Sequence, residues 1–265
     1  MEFFDQWSVD GVLLSSTNLS WPEIFTLAGY FAISTIVQSM IGFGGGLILI
    51  PLAMRFVPLK DLLAVIMPPN QTTNVVMVMQ SKQHIQYDVL LYRVLPWMGL
   101  GLILGMQLAS IVTGSYLKRG LGFFVITAAV VKLYELLSTT YKSDAMKTPS
   151  APVPVIPVFL AGVVHGIYGT GGPLLVYALG RANLSTNVFR ATMSAMWVGI
   201  TVLQAIGLFI KGSFSSTHVV LGTVMIIPSS IGLHIGTYVR GLLPERELRI
   251  FIYVMLLATG ASLLR

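Results

Sequence analysis

Two glycine clusters are the residues of this sequence best suited to ligand chemistry. Gly42-Phe43-Gly44-Gly45-Gly46-Leu47 has a counterpart in Gly169-Thr170-Gly171-Gly172-Pro173-Leu174, 127 residues further on. Each glycine costs a helix interior about 1 kcal/mol, and Pro173 lacks an amide hydrogen and suits only a first turn. A helix is therefore expected to stop near Gly42 and near Gly169, and to restart at about Gly46 and Pro173. Each restart would offer unpaired backbone N–H groups and the positive end of a helix dipole, with no side chain to hold a ligand away. Buried in hydrocarbon, such amides must face protein, water or an anion, and an anion fits best. The expected binding positions are Gly42, Gly44, Gly45 and Gly46 in the first cluster, and Gly169, Thr170, Gly171 and Gly172 in the second. Close helix packing is the plain alternative for such glycines. Neither cluster is a phosphate loop, since no Lys-Ser or Lys-Thr follows and no strand precedes.

Further polar residues surround the clusters. The same offset sets Gln38 opposite His165, each four positions before its cluster. His165 suits anion contact or proton handling, against the alternative of a satisfied core histidine. The run Pro68-Pro69-Asn70-Gln71-Thr72-Thr73-Asn74 falls near the middle of an apolar segment, where amides are expensive. Asn70 and Asn74 share a helical face, and with Gln71 they are candidates for a substrate path, or for hydrogen bonds between helices. Arg190 heads the run Ala191 to Ile210, where it would attract an entering oxyanion or snorkel to the interface. Lys132 and Glu135 are spaced as a local helical ion pair. No role is assigned to Trp197, Gln204, Tyr177 or His234.

Missing chemistry is equally informative. Apart from Glu135, acidic residues lie at segment ends or in loops, which leaves no proton-relay carboxylate pair and no acidic cation site. There is no His-Glu-x-x-His helix and no Gly-x-Ser-x-Gly elbow, so an enzyme reading lacks a nucleophile, a base and a metal. Cysteine is absent, which excludes disulfides and thiolate metal sites. Neither metal nor cofactor is expected.

The elements that must position these residues are membrane helices. The 265 residues are 55% hydrophobic and only 10% charged, with a mean hydropathy of +0.81, where a soluble domain carries about 25% charge. Charge-free runs such as Ile24 to Met54, Leu62 to Ser81, Val94 to Leu117 and Thr148 to Gly180 are long enough to cross a bilayer. The expectation is an all-α, polytopic bundle of about seven to nine membrane segments. The Pro-rich stretch Thr148 to Pro154 divides it into two homologous halves, 1–147 and 148–265, each with a glycine-interrupted helix. As one helix, Ile24 to Met54 would measure about 46 Å, too long for one crossing and too short for two. A re-entrant hairpin is preferred, which makes the halves inverted repeats; a tilted broken crossing would make them parallel.

The net charge of +6 comes from Lys and Arg scattered among loops, without a basic stripe, so nucleic acid is not an expected partner. Met1 to Trp21 carries Glu2, Asp5 and Asp10 and no Lys or Arg. It does not read as a signal peptide, and it is expected outside the cytoplasm, with Lys142 and Lys147 inside.

Gly42-Phe43-Gly44-Gly45-Gly46 with Pro51, and Gly169-Thr170-Gly171-Gly172-Pro173 with Arg190-Ala191-Thr192, resemble the paired signature motifs of the TauE/SafE sulfite exporter family. The resemblance spans essentially the whole chain. It implies a multi-pass protein of the cell (inner) membrane, built from two homologous halves, that moves sulfite, sulfoacetate or related small anions. The expected partners are that anion and the lipid bilayer. A secondary carrier is the expected mechanism, with an anion channel or a non-transporting scaffold subunit as alternatives. Oligomeric state has no sequence signal.

Overall fold

The computed structural model describes residues 19–109, 153–180, 184–242 and 244–264, with Ala182 and isolated positions between 119 and 134. Met1 to Asn18, the Lys132–Glu135 pair, Lys142, Lys147, Arg181 and the Pro-rich stretch up to Pro152 lie outside the described residues. The described residues are mainly helical, with no strand among them.

Helix α1, Trp21–Ile41, starts where the Ser20 amide and hydroxyl both donate to the Glu23 carboxylate, at 2.8 and 2.7 Å. It ends at Gly42, whose φ of 91° places it in the left-handed region. The Gly42 amide closes the last turn on Gln38 O at 2.6 Å. Gly44, at φ 92°, then turns the chain into α2, Gly45–Ala53. The second cluster repeats this path. α5, Val155–Tyr168, ends at Gly169 with φ 71°, and α6 covers Gly172–Gly180. Both restarts come one residue before the expected Gly46 and Pro173. Pro173 is thereby in the first turn of α6, where its missing N–H costs nothing.

The remaining elements are α3 Leu59–Ser81, a π-helical turn Val89–Val94 leading into α4 Leu95–Leu108, α7 Thr186–Ile210, α8 Ser216–Val224, α9 Ile226–Leu242 and α10 Glu245–Leu264. The 127-residue offset recurs at element starts: Gly45 and Gly172, Leu59 and Thr186, Val89 and Ser216. Among the described residues, Trp21–Ile41, Val89–Leu108, Thr186–Ile210 and Ser216–Leu242 are long and apolar enough to cross a membrane. α3 matches them in length at 23 residues but carries the polar run. α2 and α6, nine residues each, rise only about 14 Å, half a crossing.

Packing crosses between the two halves of the sequence. α1 lies against α9, α5 against α4, and α7 against α3. Glycines set the first two contacts. A Cβ added at Gly105 would overlap Val163 O, one at Gly162 would overlap Met98 O, and one at Gly232 would overlap Ala32 O, so these backbones touch directly. α3 runs unbroken through Pro68 and Pro69. Pro69 cannot donate to Val65 O, and Gly222 of α8 brings its Cα against that carbonyl, where a side chain would not fit. Two apolar clusters fill the interior, one around Met98, Leu102, Met196 and Ile200, the other around Leu27, Phe31, Leu62 and Leu221. Phe25, Ile156, Phe209 and Ile210 point outward and are largely uncovered, which suits a hydrocarbon surround.

Candidate functional site

The two breaks meet. Gly44 and Gly46 of the first, and Gly169, Thr170 and Gly172 of the second, line a single cavity. They are close across it: a Cβ added at Gly46 would lie 3.2 Å from Gly169 O, and one at Gly172 would lie 3.4 Å from Phe43 Cδ2. The start of α2 and the start of α6 therefore deliver their first-turn amides, and the positive ends of two helices, to one space.

Each break is backed by a polar residue one turn upstream. In the first, Gln38 Nε2 donates to Asn70 Oδ1 at 3.0 Å and Asn74 Oδ1 at 3.1 Å. This fixes the Gln38 amide so that its Oε1 lies against Gly45, where a Cβ would collide with it. In the second, His165 Nδ1 accepts a long 3.4 Å hydrogen bond from the Gly171 amide. The His165 ring packs on Trp197 at 5.1 Å between centroids, and Gln204 hydrogen-bonds to His165. Trp197 also donates from Nε1 to Gly42 O at 3.1 Å, so it touches both breaks.

The cavity wall holds one conspicuous orphan. Thr170 is 7% exposed, and its Oγ1 is buried without a hydrogen-bond partner. A hydroxyl in that position costs about 1–3 kcal/mol unless something fills the space before it. Among the described residues, no Asp, Glu, Lys or Arg lines the cavity. Among the described residues, no group of three or more His, Asp or Glu side chains gathers to hold a metal. The donors on offer are amides, hydroxyls and one imidazole, a set that suits a small oxyanion.

A family model described as Sulfite exporter TauE/SafE matches residues 26–263. The chain belongs to this family. No curated protein and no solved structure matches the chain. Membership makes the chain a membrane protein of a transporter family, with a small anion as the kind of substrate.

In this TauE/SafE chain, the expected positions divide into two sets. Gly44, Gly46, Gly169, Thr170, Gly172, Asn70 and His165 line the cavity. Gly42, Gly45, Gly171, Gln71, Asn74 and Arg190 stand behind it. Gly42 is the left-handed corner, with Arg190 Cγ 3.0 Å from where its Cβ would be. Gly171 packs on Ala161 O, leaving no room for a side chain. Asn74 is fully buried and positions Gln38, and its Nδ2 donates to Asn70 O at 2.8 Å. Gln71 Oε1 is buried without a partner. Arg190 is buried rather than at the interface, and its Nη1 donates to Ser39 O at 2.8 Å. It caps the carbonyl end of α1, where a cation also complements the helix dipole.

Gln38, Trp197, Thr201 and Gln204 also line the cavity and were not among the expected positions. A signal for two of them, Trp197 and Thr201, was present. The 127-residue offset that pairs the glycine clusters also carries Asn70 to Trp197 and Asn74 to Thr201, whereas Gln204 falls opposite the apolar Met77. It carries Leu63 to Arg190 as well, and Leu63 packs beside Gly169 as Arg190 packs beside Gly42.

Proposed function

We propose that this protein is a secondary carrier for a small sulfur-containing or organic anion, such as sulfite or a sulfonate, in the cell membrane. The observation that carries the reading is the shared cavity, lined by two helix starts and by Thr170, whose buried hydroxyl has no partner, and by no carboxylate among the described residues. Neutral donors of this kind stabilise an oxyanion without holding it as a fixed cation would, which suits release on the far side. The anion sits against Gly172 and Thr170 on one side and Gly44 and Gly46 on the other. Gln38 and the Asn70–Asn74 pair hold the first break in shape. The protein changes the anion's side of the membrane and catalyses no chemical step.

Residues 1–147 and 148–265 act as two inverted repeats that move against each other about this site. The recurrence of helix starts at one offset and the crossed packing of α1 on α9 and α5 on α4 support this arrangement. Met1 to Trp21 lies outside the cell and the Lys142–Lys147 loop inside.

Flux in proteoliposomes against sulfite, alkanesulfonates, thiosulfate and short carboxylates tests the reading. Saturable movement of at least one oxyanion, with cross-inhibition by its analogues, is expected. Absence of flux and of binding for the whole panel overturns it.

A further inference from the structure

We propose that His165 is a proton-binding site whose loading is coupled to anion binding, so that the carrier moves a proton together with its anion. The inference rests on the carrier reading above and names its coupling ion.

His165 is 5% exposed to the outside yet borders the cavity. Its Nδ1 accepts the Gly171 N–H, so the ring carries its proton on Nε2 and is neutral in this arrangement. That bond, at 3.4 Å, is long, and it ties up an amide at the start of α6. Protonation reverses the local chemistry. An imidazolium is a donor at both nitrogens and accepts nothing, so Nδ1–H and Gly171 N–H can no longer share a bond. The charged ring then borders the cavity, where the Thr170 hydroxyl already lacks a partner. A bound oxyanion supplies the counter-charge for the imidazolium and an acceptor for that hydroxyl. An imidazolium buried without a counter-ion is costly, and so is an anion buried without a cation. Each therefore favours the other, and by linkage the preference is mutual.

Among the described residues, the surroundings supply no competing counter-ion. α4, packed along α5, has no titratable residue; α6 contributes Tyr177 and α5 itself Tyr168. Tyr92 of the π-helical turn is exposed and Arg93 lies on the same turn. On α7, Arg190 is engaged with Ser39 O, and just beyond its end Lys211 donates to Met106 O. Across the cavity α3 presents the neutral Asn70. The first break carries Gln38 at the equivalent position, which cannot titrate, so the coupling belongs to the second break alone.

The test uses ethanesulfonate and thiosulfate, anions that take up no proton near neutrality, with the purified full chain in lightly buffered detergent. From about pH 8.5 to about pH 6, wild-type affinity should tighten by about tenfold per pH unit wherever the free site is neutral and the loaded site protonated. About one proton should be taken up per anion bound in that range. His165→Gln copies the residue of the first break, retains an acceptor for the Gly171 amide, and should bind with affinity independent of pH and without proton uptake. A flat wild-type profile with no proton uptake overturns the coupling while leaving the carrier reading in place. The same slope in His165→Gln as in wild type overturns the assignment to His165. Proton uptake by the wild type decides the coupling itself if the variant does not fold. Failure of both anions to bind at any pH overturns the coupling together with the carrier reading for these oxyanions.

Discussion

Substituting alanine at two glycines of the same site should separate binding from folding. Gly42 has a φ of 91°, a region that costs an L-residue about 1–2 kcal/mol. Its new Cβ would also sit 3.0 Å from Arg190 Cγ and 3.1 Å from Arg190 Cα, the latter being backbone that does not yield cheaply. Crowding of that kind adds about 1 kcal/mol or more, so Gly42→Ala should lose roughly 2–3 kcal/mol of stability. Gly172 differs on every count. It is not among the positive-φ glycines, and its nearest neighbours would be Phe43 Cδ2 at 3.4 Å and Trp197 Cζ2 at 3.8 Å, ordinary contact distances. Alanine there should leave stability unchanged or raise it by up to about 1 kcal/mol. The methyl, however, enters the cavity beside the Gly172 amide. An anion forced off that amide loses a charge-assisted hydrogen bond of about 1.5–3 kcal/mol, a roughly 10- to 100-fold rise in Kd. Thermal unfolding in detergent and equilibrium binding of thiosulfate or sulfite, measured on both variants, read the two effects separately. Wild-type affinity in Gly172→Ala would refute the role of the α6 amides, and wild-type unfolding of Gly42→Ala would refute the left-handed corner.

Three other substitutions follow from the same contacts. Arg190→Leu, which copies Leu63 of the first half, removes the donor to Ser39 O and should cost about 1–3 kcal/mol in unfolding while changing Kd less than Gly172→Ala does; a larger effect on Kd than on unfolding would make Arg190 an anion contact. Asn74→Leu strips Gln38 of one acceptor and Asn70 O of one donor, and should lower the unfolding free energy by about 1–3 kcal/mol, whereas an unchanged melting curve would mean the Gln38 network carries no weight. Gly105→Leu should abolish monodisperse folded protein on size-exclusion chromatography because the side chain collides with Val163 O, while Gly29→Leu, with open space around its Cα, should elute as wild type.

The helix breaks were legible from the sequence because their cause is local. Gly42 and Gly169 take up backbone angles that other residues resist, and Pro173 can stand only in a first turn, so both stops and restarts are written within six residues each. Asn70 and Asn74 were legible as one face because four residues span a helical turn. Their partner was not, since it depends on α1 lying beside α3 and on Gln38 reaching across. Arg190 shows the same division. Its place at the head of an apolar run beside the second motif suggested an interfacial charge or an anion contact, whereas the structure joins it to the first motif's helix, 151 residues earlier at Ser39. Trp197 and Thr201 look like ordinary members of an apolar helix until the 127-residue offset is applied to the amide run, and Gln204, opposite Met77, has no such signal. The crossing glycines Gly105, Gly162 and Gly232 were visible as residues, but their function needs the neighbouring helix to be known.

Two breaks that serve one anion require it to lie between them, and locating a bound anion is the most direct test. Selenite, an electron-dense analogue of sulfite, can be placed by anomalous diffraction from crystals of the full chain grown in its presence. A single selenium peak is expected in the cavity, with oxygens about 3 Å from Thr170 Oγ1 and from the Gly172 amide, facing Gly44 and Gly46. Selenium bound elsewhere in the bundle, with the space between the two breaks left without it, would contradict a shared site.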